Sequence, residues 1–124
     1  NDNYKSAQSI VWRQAMTDDD KKQIAEYMGW KYRRDLWGGI EYFRDRTDGF
    51  EQYYIVHFDP NDATLCVAEM QKRGDWQKFC ATGFVIYFEK ERPSHVFPEN
   101  YIAWLFNAEN FFNVMSEWLK EGKK

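Results

Sequence analysis

The sequence predicts one α/β domain of the α+β kind, a sandwich in which a mainly antiparallel sheet of about three to five strands packs with about three helices. Three observations carry this prediction. Two segments, Thr17 to Gly29 and Asp59 to Gly74, open on a capping residue and close on a glycine, as helices do. Between them, two aromatic-rich runs flank Asp48-Gly49, the residue pair of a tight hairpin. From Asn107 onward, apolar residues recur at helical spacing as far as Leu119.

Taken in order, residues 1–9 are polar and aperiodic and read as a flexible arm, with Ser9 to Trp12 a candidate for a short docked strand. Thr17 is a good N-cap, and Asp18, Asp19 and Asp20 set negative charge on the positive end of a helix dipole. Ile24, Ala25, Tyr27 and Met28 give that helix its apolar face, and Gly29 ends it. An extended segment follows from Trp30 to Arg34, broken at Gly38-Gly39. Ile40 to Arg44 and Phe50 to Phe58 are the paired strands of the hairpin, turning through Thr47, Asp48 and Gly49. Asp59-Pro60-Asn61-Asp62 starts the next helix, whose Ala63, Cys66, Val67 and Met70 form one stripe. Phe79 to Glu89 reads as a central strand covered on both sides, since Phe84, Ile86 and Phe88 alternate with the equally apolar Val85 and Tyr87. Tyr101 to Phe106 fits either a short strand or a first helical turn, and the last helix carries Ala108, Phe111, Phe112, Met115, Trp118 and Leu119 before Gly122. No repeat or linker divides the chain, so residues 10–121 form one domain and 122–124 a short tail.

The composition narrows the class without naming a reaction. At 124 residues the chain is long enough for one hydrophobic core. Its net charge of −3 lacks the basic surplus of a dedicated DNA binder. Cys66 and Cys80 are too few for a stapled secreted scaffold, and no apolar run nears the roughly 18 residues of a membrane span. Reduced thiols, a cytoplasmic location and no membrane partner are therefore expected. The aromatic content, 10 Phe, 8 Tyr and 6 Trp, is high. Phe84, Phe88, Phe111, Phe112 and Trp118 are assigned to core filling because they fall on apolar faces.

Three segments together resemble a known family. They are Ile24 through Tyr27-Met28-Gly29-Trp30-Lys31; Asp59-Pro60-Asn61-Asp62-Ala63 running to Lys72-Arg73-Gly74; and Gly83 to Phe88 followed by Trp118-Leu119-Lys120-Glu121-Gly122. In this order and spacing, over residues 17–122, they resemble the phage ABA-sandwich domain family of small phage-associated proteins. The resemblance implies a sheet between helical layers and a phage or prophage setting inside a bacterial cell. It brings no activity and no catalytic residues, and the heavy aromatic load and the first 16 residues depart from its pattern.

Catalytic chemistry finds few candidates. His57 precedes Asp59 at a strand end, where an imidazole and a carboxylate suit metal binding or acid–base work. The structural alternative makes Asp59 a helix cap and His57 a partly exposed strand residue. His95, near Pro93, reads as a solvent-facing loop residue. No metal-ligand spacing and no phosphate-binding glycine motif occurs, so no cofactor is expected and the chain is read as non-enzymatic. The segment that suggests binding is Trp30, Lys31, Tyr32, Arg33 and Arg34 with Trp37, where aromatics interleave with cations. Such a set anchors protein interfaces, or stacks bases and pairs phosphates in single-stranded nucleic acid. It equally describes an amphipathic edge strand whose charges discourage further pairing. The reading is a non-enzymatic accessory or protein-interaction domain, with single-stranded nucleic-acid binding as the alternative and a His57/Asp59 enzyme as the second.

Overall fold

The computed structural model describes residues 16–45 and 53–122. The arm, the Ser9 to Trp12 segment and the hairpin turn at Thr47, Asp48 and Gly49 lie outside the described residues. Along the described chain run α1 (Asp18–Met28), β1 (Lys31–Arg34), β2 (Ile40–Asp45), β3 (Tyr53–Ile55), α2 (Pro60–Arg73), α3 (Trp76–Glu91), α4 (Pro98–Leu105) and α5 (Ala108–Glu121).

Local chemistry explains why α1 and α2 begin and end where they do. Thr17 Oγ1 accepts the Asp20 N–H at 3.2 Å while Thr17 N–H donates to Asp20 Oδ2 at 3.2 Å. Asp59 and Asp62 repeat the exchange at the head of α2, at 3.0 and 3.4 Å. Each exchange satisfies two backbone donors that a helix start otherwise leaves bare. Both helices close on a left-handed glycine, Gly29 at φ 75° and Gly74 at φ 77°. There the next residue's N–H reaches back to the helix, Trp30 to Ala25 O and Asp75 to Met70 O, each at 2.8 Å.

The sheet has the order β1-β2-β3 and is antiparallel throughout, with Tyr32 opposite Tyr42 and Phe43 opposite Ile55. Among the described residues the regular part of the hairpin's second strand is Tyr53–Ile55, which stops short of the Phe58 that the alternation suggests, while Phe50 to Gln52 lie outside the described residues. The chain continues it as far as Val56, whose N–H donates to Tyr42 O at 2.8 Å. It then swings away at Phe58, which takes a left-handed backbone at φ 55°. A bulky residue tolerates that conformation only where packing holds it. The Phe58 ring lies among Trp30, Tyr42 and Phe112, with centroids at 6.1, 5.5 and 5.2 Å.

The largest correction concerns Phe79 to Glu89, which is not a central strand but most of the helix α3. Apolarity on both sides of the segment has a helical explanation. Phe79, Gly83 and Tyr87 recur every four residues and are buried, packing α3 against α4 and α5. Gly83 permits that approach. A Cβ there would lie 2.7 Å from Tyr101 Oη, 3.2 Å from Leu105 Cδ1 and 3.4 Å from Val114 Cγ1. The Tyr101 hydroxyl has little room to retreat, because it donates to Cys80 O at 2.6 Å. The segment from Tyr101 to Phe106 belongs to helix α4 and its end, not to a strand. Phe84 and Phe88, assigned to the core from the sequence, are exposed on the far side of α3.

The core is centred on α5, which packs against α1, α2, α3 and α4. Phe111, Phe112, Val114 and Met115 supply its apolar face and meet Ile24, Cys66, Met70, Phe79 and Leu105. Trp118 is half-buried and packs edge-on to Tyr27 and Phe79, at 5.4 and 6.1 Å. Lys120 at the far end of α5 bridges to Asp20 at 2.9 Å and ties it to the head of α1. The sheet turns Trp30, Tyr42 and Val56 toward this helical mass. Its other face, with Lys31, Arg33 and Ile55, is exposed, so a second helical layer is not seen among the described residues.

Candidate interaction surface

The six residues singled out between Trp30 and Trp37 separate into three environments. Trp30 is 8% exposed and belongs to the core, its ring edge-on to Phe58. Its backbone completes the α1 terminus, so the glycine stop of α1 is what aims this side chain inward. Tyr32 follows on the same face but is only partly covered, with Tyr42 at 5.8 Å and Lys22 Nζ 5.6 Å from its ring centroid. Arg34 ends the strand, exposed.

Lys31 and Arg33 point to the open face, as the two-residue period of a strand requires. Arg33 is engaged there. Its Nη2 donates to Glu41 at 3.0 Å, directly across the ladder, and its guanidinium carbon lies 5.4 Å from the Phe43 ring centroid. The basic segment is thus divided between two faces, and one of its cations is already paired with a carboxylate.

Trp37 sits in the turn between β1 and β2, and a single side chain organises that turn. Asp35 Oδ1 accepts the N–H of Trp37 and of Gly39, both at 2.8 Å. The Asp35 N–H donates to Gly39 O at 2.9 Å, and Gly38 supplies the left-handed backbone at φ 84°. With its polar groups turned inward, the turn carries two large apolar side chains on its outside. Leu36 is 98% and Trp37 94% exposed. Leu36 was not singled out from the sequence. The available signal was a Leu-Trp pair inside an Asp-x-x-Gly-Gly turn, where polar residues usually stand.

The His57 and Asp59 pair is differently employed. Asp59 caps α2, and the Asp62 N–H it receives is the main cause holding its carboxyl below the usual range. Asp62 is buried, which pushes its carboxyl up, although it accepts the backbone N–H of His57 at 2.9 Å. Both carboxylates are therefore occupied by the start of a helix, while His57 is exposed. His95 is exposed in the loop before α4, its ring 6.2 Å from Phe97. Cys66 is buried, and desolvation raises its thiol well above the ordinary value. Among the described residues, no three His, Cys, Asp or Glu side chains gather as a metal site, and no helix is long and apolar enough to cross a membrane.

Comparison of the chain with protein-family models, curated proteins and solved structures returned no match.

Proposed function

We propose that this chain is a non-enzymatic interaction module that engages a partner protein through the tip of the β1–β2 hairpin. Leu36 and Trp37 are the anchors, and Lys31, Arg33 and Arg34 provide a basic margin. The observation that carries the reading is the near-complete exposure of both apolar side chains on a turn fixed by Asp35. Exposed apolar side chains scattered singly need no explanation, but here a fully exposed Trp, a residue type enriched among those that dominate binding energy, stands beside an equally exposed Leu at a fixed tip. The phage or prophage setting of the proposal rests on the sequence resemblance alone.

The test is capture from bacterial lysate followed by titration of the recovered protein. Trp37→Ala and Leu36→Ala are expected to abolish capture while leaving the melting temperature unchanged. Capture that survives both substitutions, or recovery of nothing specific by the wild type, removes the proposal. Trp30→Ala is not a clean probe, because that ring is part of the core.

The alternative, single-stranded nucleic acid held by the same segment, draws support from the partly exposed Tyr32 ring on the same strand face as Arg34. It requires salt-sensitive binding that weakens in Arg33→Ala/Arg34→Ala. Absence of binding at low salt eliminates it.

A further inference from the structure

The run from Phe79 to Phe88 contains no charged residue, so α3 presents apolar side chains on all sides. A helix of that kind is ordinarily covered on all sides. One side is buried through Phe79, Gly83 and Tyr87. On the opposite side Ala81, Phe84, Val85 and Phe88 recur at three- and four-residue spacing. Phe84 is 39%, Val85 54% and Phe88 50% exposed. The stripe is held in shape, because Phe84 rests edge-on to Tyr101 at 5.4 Å and lies 6.4 Å from Phe88.

Two features of the stripe specify what covers it. Lys78 and Glu89 are both exposed, and their separation of about three helical turns puts them on the same edge of the stripe. A two-fold axis perpendicular to the helix reverses its direction while keeping each edge against itself. It therefore brings Lys78 of each copy toward Glu89 of the other, giving two opposite-charge pairs. With the axis between Phe84 and Val85, the small Ala81 lies opposite the large Phe88 and Phe84 opposite Val85, and Lys78 stands about two residues, roughly 3 Å along the helix, from the level of Glu89 of the copy, within reach of the two long side chains. The stripe is thus complementary to its own antiparallel copy in both sign and size.

From this we infer that the protein forms a two-fold homodimer through the exposed stripe of α3, with the two helices antiparallel. The surface is separate from the hairpin tip, and the dimer does not depend on what the tip binds.

Sedimentation velocity over a micromolar to submillimolar range tests it. The wild type is expected to dimerise, and Phe88→Glu to remain monomeric with an unchanged far-UV circular dichroism spectrum. Lys78→Glu and Glu89→Lys should each weaken the dimer about two- to tenfold, and combining them should restore it, since the double exchange re-forms both pairs with the charges reversed. A wild type that stays monomeric throughout the range overturns the inference. So does a dimer indifferent to Phe88→Glu, or a double exchange no better than either single one. Phe84→Lys supplies a second apolar probe should Phe88→Glu fail to fold, and a dimer indifferent to it is equally fatal.

Discussion

Helices α1 and α2 differ from α3 in where the information that shapes them resides. The first two carry their own limits, with a reciprocal cap at the start and a left-handed glycine at the end. Helix α3 begins at Asp75 without a side-chain cap, ends on Arg92 in a left-handed conformation at φ 44°, and has a glycine in its middle. Its register is set by neighbours instead, through Phe79 against Phe111 at 5.0 Å and Gly83 against Tyr101, Leu105 and Val114. The comparison teaches that short-range signals can specify a helix, and that tertiary packing can specify one where such signals are weak.

That contrast orders the expected effects of substitution. Phe79→Ala empties a fully buried site shared by α3 and α5 and should cost about 3–5 kcal/mol in urea unfolding. Gly83→Val places two methyl groups where even a Cβ meets Tyr101 Oη, and about 1–3 kcal/mol is expected. Asp59→Ala removes only the α2 cap, for about 1 kcal/mol. If the cap variant proved more damaging than Phe79→Ala, the distinction between the two kinds of helix would fail.

The smallest effect is one of pH. Desolvation pushes the Asp20 carboxyl up, but the Lys120 ammonium and the Thr17 cap outweigh it and hold the group below its ordinary 3.8. A depressed carboxyl contributes stability that is present above its unfolded value and lost as pH falls through the folded one. Lys120 is raised above 10.5, chiefly by its bond to Asp20, so its contribution is present below that value and lost as pH rises through the folded one. Asp20→Asn should therefore flatten the acid limb of a stability–pH curve. It should also weaken the decline at the alkaline end. Chemical denaturation from pH 2 to pH 11 checks both limbs.

The same division explains what could be read from the sequence. Thr17, Gly29, Asp59, Gly74 and Asn107 act through bonds to residues a few positions away, so their meaning is local and α1, α2 and the start of α5 were legible. The pairing of β2 with β3 was legible from alternation around Asp48-Gly49. Helix α3 was not, because periodicity reports the difference between two faces, and here both are apolar. The uninterrupted apolar run from Gly83 to Phe88 has the length of a strand, and Gly83, Val85 and Ile86 are poor helix formers. Gly83 is explained only by Tyr101, Leu105 and Val114, which are distant in sequence. The same blindness misassigned Phe84 and Phe88 to the core. At the candidate surface, the aromatic and basic pattern drew attention to the β1–β2 hairpin but showed neither the inward turn of Trp30 nor the exposure of Leu36, which follows from how Asp35 closes the turn.

The position of α5 has a consequence for how the molecule is made. Four helices depend on it to bury their apolar sides, yet it is the last described element in the chain. During synthesis, α1 waits for a partner that emerges about 90 residues later, and at ordinary elongation rates of about 5–20 residues per second that leaves Ile24 several seconds without it. Ring contacts such as Trp30 with Phe58 can form earlier, but the core cannot close until Phe111, Phe112, Val114 and Met115 are made, so its apolar side chains depend on the last described helix for cover.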